Sequence, residues 1–98
     1  FMRIISVKTV KDFAAGHPGI SQPLKIWIDM VEKADWDSPT KIRASFNTAD
    51  FLSDDRVVFD IGGNNYRIVC KIKYPYRVMY VRFVGTHKEY DRIDAETI

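Results

Sequence analysis

The sequence predicts an α+β fold: a mostly antiparallel four-stranded sheet with two N-terminal helices on one face and a short C-terminal helix. Three observations carry this expectation. Apolar residues follow a helical period in the N-terminal half and alternate from Val57 onward. Gly62-Gly63-Asn64 lies between two strand-like runs, where positive-φ residues close a tight hairpin. The chain has 98 residues, 46% of them hydrophobic, which is room for one compact domain, expected over residues 2–98. The order strand, two helices, three-stranded meander and short helix then sets the helices against one sheet face.

Met2 to Val7, rich in β-branched residues, is expected as the first strand. It should join the same sheet, because the meander alone would leave the helical stripe poorly covered. Thr9 followed by Asp12 suggests a cap, and a short helix runs through Val10, Phe13 and Ala14 until Gly16-His17-Pro18-Gly19 ends it. Ser21 is expected as the N-cap of a second helix, with Pro23 in the first turn, where a missing N–H costs nothing. Leu24, Trp27, Ile28 and Val31 form its apolar stripe, with Lys25, Asp29, Glu32 and Lys33 on the other side. The stretch from Trp36 to Asp55 is irregular. It holds one short helical turn after Ser38-Pro39, carrying Ile42 and Phe46, and a turn at Ser53-Asp54-Asp55. Strands then follow over Val57–Ile61 and Asn65–Lys73. In the second, Tyr66, Ile68, Cys70 and Ile72 face the core while Arg67, Val69, Lys71 and Lys73 face away. Tyr74-Pro75-Tyr76 breaks the run. Arg77–Val84 is the last strand, with Met79, Val81 and Phe83 alternating against Val78, Tyr80, Arg82 and Val84. Thr86-His87-Lys88-Glu89 fits a capping box, so a short helix is expected from about His87 to Ile93.

Composition narrows the functional classes. The single cysteine, Cys70, rules out an intramolecular disulfide, and with only two histidines no structural zinc site is expected. No apolar run approaches the ~20 residues of a membrane span, and no signal peptide is expected. A cytoplasmic protein with no membrane partner is expected. The net charge is only +2, yet Tyr66 to Lys88 carries Arg67, Lys71, Lys73, Arg77, Arg82 and Lys88 without one acidic residue. Such a run suits an anionic partner, nucleic acid above all, or else a solvated strand face.

If the last two strands pair, the face away from the core presents Arg67, Lys71 and Lys73 beside Tyr80 and Arg82, which suits an RNA backbone and a stacked base. Cleaving RNA without a metal or cofactor requires three groups: a base for the 2′-OH proton, cations for charge developing on phosphate, and a donor for the leaving 5′-oxygen. Arg67 and Arg82 have the planar fork that clamps phosphate. The competing role for Arg67 is as partner of Asp60 on the neighbouring strand. His87 falls in the first turn of the last helix, where the dipole disfavours a charged imidazole, and so suits a general base. Tyr90 and Asp91 follow at i+3 and i+4, on the same side. Alternatively, Thr86 and Glu89 cap that helix, Tyr90 and Ile93 pack on the sheet, and His87 is incidental. Cys70 is expected as a buried thiol, His17 as a turn residue and Asp54-Asp55 as turn formers. Gly62-Gly63 does not match a phosphate-binding loop, because a strand follows it.

The segment Val57-Val58-Phe59-Asp60-Ile61-Gly62-Gly63-Asn64-Asn65-Tyr66-Arg67-Ile68-Val69 resembles the central signature of HigB-type toxins of bacterial toxin–antitoxin pairs. So does Val81-Arg82-Phe83-Val84-Gly85-Thr86-His87-Lys88-Glu89-Tyr90-Asp91. Ser45-Phe46 followed by Ala49-Asp50-Phe51 is similar too, and the spacing of the three blocks agrees. The resemblance covers nearly the whole chain. It implies a RelE-like fold and an mRNA-cleaving endoribonuclease that acts on ribosome-associated message and is silenced by a HigA-type helix-turn-helix antitoxin. By motif position Arg67 and the His87, Lys88, Tyr90 and Asp91 group are the matching polar residues. From the chemistry above, Arg67, His87, Lys88 and Tyr90 are the expected catalytic group, with no metal or cofactor. RelE-like folds also include ParE-type toxins that poison gyrase by contact. A non-catalytic RNA- or antitoxin-binding module would show the same basic face.

Overall fold

The computed structural model describes residues 1–63 and 65–98. In chain order the elements are β1 (Arg3–Ile5), α1 (Val7–Gly16), α2 (Pro18–Lys33), α3 (Pro39–Ser45), β2 (Asp50–Leu52), β3 (Arg56–Ile61), β4 (Tyr66–Lys73), β5 (Val78–Thr86) and α4 (His87–Tyr90). A single turn of 3-10 helix, Tyr74–Tyr76, joins β4 to β5. The strands form one sheet in the order β1-β5-β4-β3-β2, with β1 parallel to β5 and every other pair antiparallel. The α+β class therefore holds, with five strands among the described residues rather than four. No helix among them is long and apolar enough to cross a membrane.

The helices differ from expectation at their starts. α1 opens at Val7 behind Ser6, which sits in the left-handed region and lends no side-chain cap. The Thr9 N–H goes to the Ser6 carbonyl and Asp12 pairs with Lys8 at 3.1 Å, so the expected Thr9–Asp12 cap is absent. α2 begins at Pro18, which fills the first-turn role assigned to Pro23. The earlier start brings buried Ile20 onto the stripe of Leu24, Trp27, Ile28 and Val31. That burial outweighs the N–H that Pro23 withholds from the helix interior. The stripe meets the sheet through aromatic edges. Trp27 stands edge-on to Phe59 at 5.4 Å, and Phe46 of the segment after α3 meets Phe59 at 5.2 Å.

The sheet departs from strict alternation in two places. β2 pairs with β3 through a turn in which Asp54 and Asp55 both take positive φ, so the turn at Ser53-Asp54-Asp55 closes a hairpin. On β5 the pairing passes from Cys70↔Val81 to Val69↔Phe83, leaving Arg82 without a direct partner. This bulge reverses the faces beyond it: Val84, not Phe83, packs against the core. The Gly62-Gly63 part of the β3–β4 loop has the expected positive φ, and Asn64 lies outside the described residues.

One face of the sheet carries the core: Phe59, Ile68, Cys70, Ile72 and Met79 are fully buried there. The opposite face is not the open basic surface that alternation implies. Val58 and Val69 are fully buried on it, and the chain after α4 runs across it, tied by Arg56 to the Ala95 carbonyl and by Arg82 to that of Ile98.

Candidate active site

Strand register builds the corner. Asp60 on β3 faces Arg67 on β4, and Arg67 in turn faces Gly85 on β5. The Arg67 Nε lies 3.0 Å from Asp60 Oδ1, both side chains mostly buried, and its Nη1 donates to the Tyr66 carbonyl. Oδ1 of Asp60 makes no directed hydrogen bond among the described residues, so the contact is chiefly charge on charge. The role of Arg67 as partner of Asp60 is therefore realised, and its side chain is buried where an exposed one was expected.

Gly85 gives this corner its room. A Cβ there would come within 2.6 Å of the Phe83 ring and 3.3 Å of Glu89 Cβ, so a side chain would have to displace the ring and crowd α4. α4 is pinned by its capping box: Glu89 N–H donates to Thr86 Oγ1 at 3.2 Å, and Thr86 N–H donates to Glu89 Oε1 at 2.9 Å. The His87 N–H reaches the Asn65 carbonyl at 2.8 Å, which draws the helix back beside β4. The helix is shorter than expected, ending at Tyr90, and looser turns continue it to Ile93.

The structure thereby brings α4 beside β4 and sets two residues of the expected catalytic group, Arg67 and Tyr90, against each other. The Tyr90 ring lies 5.8 Å from the Arg67 guanidinium, within cation–π range. The His87 Nδ1 lies 3.0 Å from Asp91 Oδ2, and the imidazole is half-exposed. Lys88 is on α4 but exposed, and makes no ion pair among the described residues. The basic residues expected to hold RNA lie farther along the same face. Lys71 pairs with Asp54 at 2.7 Å, Tyr80 is exposed beside it on β5, Lys73 is exposed, and Arg82 Nε donates to the Ile98 carbonyl.

Acidic neighbours shape the chemistry. Burial pushes the Asp60 carboxyl above its ordinary value, Asp50 adds to that, and Arg67 and His87 oppose it without winning. Burial likewise raises the Tyr90 phenol, helped by Asp50, Asp60 and Asp91. Sequence reasoning missed Asp50 in this corner, and weighed Asp60 only as a partner. Asp60 did leave a signal, a lone carboxylate in an apolar strand two residues before the hairpin glycines. Cys70 is buried, and its thiol is pushed far above the ordinary range. Among the described residues no cluster of His, Cys, Asp or Glu has metal-ligand geometry.

A family model describing RelE-like toxic components of toxin–antitoxin systems matches residues 20–93, from α2 through the turn after α4. The chain belongs to this family, the HigB toxins. Among curated proteins it is 33% identical over 96 residues to the mRNA interferase toxin HigB of Escherichia coli K12, covering 96% of this chain and 92% of that one. It is equally similar to an mRNA interferase HigB of Shigella flexneri. An mRNA interferase HigB of Escherichia coli O6:H1 is 27% identical over 94 residues, covering 94% of this chain and 91% of that one.

Proposed function

We propose that this chain, as a single toxin domain over residues 2–98, is a metal-independent endoribonuclease that cleaves mRNA on the ribosome. Translation and growth stop as a result, and a HigA-type antitoxin with a helix-turn-helix restores them. The relatives named mRNA interferase support the substrate and reaction. The observation that supports the reading is the return of α4, whose His87 N–H bonds the Asn65 carbonyl and whose Tyr90 ring lies 5.8 Å from the Arg67 guanidinium.

In this reading the imidazole of His87 takes the proton of the ribose 2′-OH, with Asp91 at 3.0 Å stabilising the imidazolium that forms. The 2′-oxygen bonds to phosphorus and the P–O5′ bond breaks, leaving a 2′,3′-cyclic phosphate and a 5′-hydroxyl. Tyr90, whose ring lies 5.8 Å from the Arg67 guanidinium, supplies the proton to the 5′-oxygen. Arg67 and Lys88 offset the charge growing on the phosphate. Lys73 and Tyr80 hold the strand farther along, with Lys71 and Arg82 adding positive field. The setting is cytoplasmic, where message is translated.

The test is an extract translating a defined message. Cleavage products with 5′-hydroxyl ends support the reading. Intact message with gyrase inhibition would identify a gyrase poison, and intact message without it a binding module.

A further inference from the structure

Arg56 is 7% exposed on the sheet face that carries the candidate site. Its register partner is Lys71, so two cations stand directly opposite, which costs stability unless each finds an acceptor. Lys71 takes Asp54. Arg56 reaches for main chain instead: its Nη1 donates to the Ala95 carbonyl at 3.3 Å and to the Ile98 carbonyl. Arg82, two strands away on β5, donates its Nε to the same Ile98 oxygen at 3.2 Å. The two arginines hold residues 93–98 from both sides of β4. Among the described residues these are that segment's only hydrogen bonds to the sheet. Its others run within it or back to α4, as with the Ile93 N–H on the Tyr90 carbonyl. A buried guanidinium held on main-chain oxygens with an unpartnered Nε is a costly fastening.

That fastening lies next to the site. Four residues of helix cannot hold themselves in place. The capping box fixes the start of α4, while its end runs straight into the clamped segment. Tyr90 shares one depression with Leu52, Ile93 and Ala95. We propose that Arg56 and Arg82 are positioning residues: by clamping residues 93–98 they hold Tyr90 over Arg67 and fix the C-terminal end of α4, where Asp91 pairs with His87. The inference rests on the nuclease reading for its effect on rate, but not for its effect on structure.

The experiment compares the full chain with Arg56→Ala and Arg56→Lys. It follows amide exchange of residues 93–98, titration of the Tyr90 phenol by NMR on tyrosine-labelled protein, and message cleavage in a translating extract. In Arg56→Ala, exchange of the segment should rise at least about tenfold. Tyr90 should titrate nearer the ordinary tyrosine value, since less of it is buried. The maximal cleavage rate should fall about tenfold, with the half-saturating concentration within about twofold, because geometry and not binding is lost. Arg56→Lys, which can still donate to both carbonyls, should recover most of the rate. If Arg56→Ala does not fold, Arg82→Gln loosens the clamp from the exposed side and should show the same changes in exchange, Tyr90 titration and maximal rate, with half-saturation left out of the comparison because the lost charge also weakens RNA binding. A freed segment with unchanged Tyr90 titration and cleavage would overturn the proposal, as would unchanged exchange. Should the wild-type chain cleave no message, the nuclease reading fails, and exchange with Tyr90 titration alone decides the clamp.

Discussion

Arg67 and Asp60 place opposite charges 3.0 Å apart between two strands, and removing either leaves the other poorly solvated. Arg67→Ala should therefore lower stability by about 2 kcal/mol, read by thermal denaturation. Adding Asp60→Asn should recover part of that loss while cleavage stays roughly 10²-fold down, because the cation serving the phosphate is still missing. Recovery of both would confine Arg67 to a structural role. The carboxyl of Asp60 also sets a pH dependence. Its value is raised in the fold above the ordinary 3.8, so it favours the folded state most below that range, and the contribution is lost as pH rises through the raised value. The stability of Asp60→Asn relative to wild type should accordingly improve from pH about 4 to about 7. A flat difference in melting temperature would mean that burial does not control this group. Arg67, His87 and Tyr90 could be singled out from the sequence because their types and spacing match a chemistry. Asp50 could not, because it reaches the corner only through the pairing Asp50↔Val58 on a three-residue strand.

At the scale of elements, α4 depends on its cap more than on its length. Thr86→Ala should cost about 1 kcal/mol locally, seen as roughly fivefold faster exchange of the Glu89 amide, with a smaller loss of cleavage. The Thr86 backbone N–H holds the Glu89 carboxyl below the usual range. Its contribution is present at neutral pH and is lost as pH falls through the lowered value. Gly85→Ala should be worse than its size suggests, since the new methyl meets the Phe83 ring and the base of α4 together. Cleavage by Gly85→Ala at the wild-type rate would show that α4 need not sit so close. β4 and the stripe of α2 were legible because period and burial agree there. The bulge on β5 was not: alternation assumes one residue per partner, and Arg82 breaks that rule. β2 is three residues long, too short to show a period. The start of α2 was misplaced because two prolines could each fill a first turn, and only the burial of Ile20 decides between them.

Across the whole molecule the helices cover one face of the sheet, leaving the other for the site and the clamped segment. The basic run from Tyr66 to Lys88 suggested an uninterrupted cationic surface, yet its members meet separate fates: Arg67 is buried, Lys71 and Arg77 are paired with Asp54 and Asp35, and Lys73 and Lys88 stay exposed. Charge counting cannot see those pairings, because each joins residues distant in sequence. Lys73→Ala should weaken RNA binding and reduce its salt dependence while leaving the bound rate nearly unchanged, read by cleavage across an ionic-strength series. Induced expression of the chain in a bacterium should arrest growth, with relief when the cognate antitoxin is co-expressed. Normal growth at high expression of folded protein would count against the toxin reading. The most direct measurement is message cleavage in a translating extract by wild type, Arg67→Ala and His87→Ala at equal folded concentration. Wild type should yield discrete products with 5′-hydroxyl ends, and each variant roughly 10²-fold less. Intact message with wild type, or full cleavage by both variants, would contradict the assignment of this corner as the site that cuts RNA.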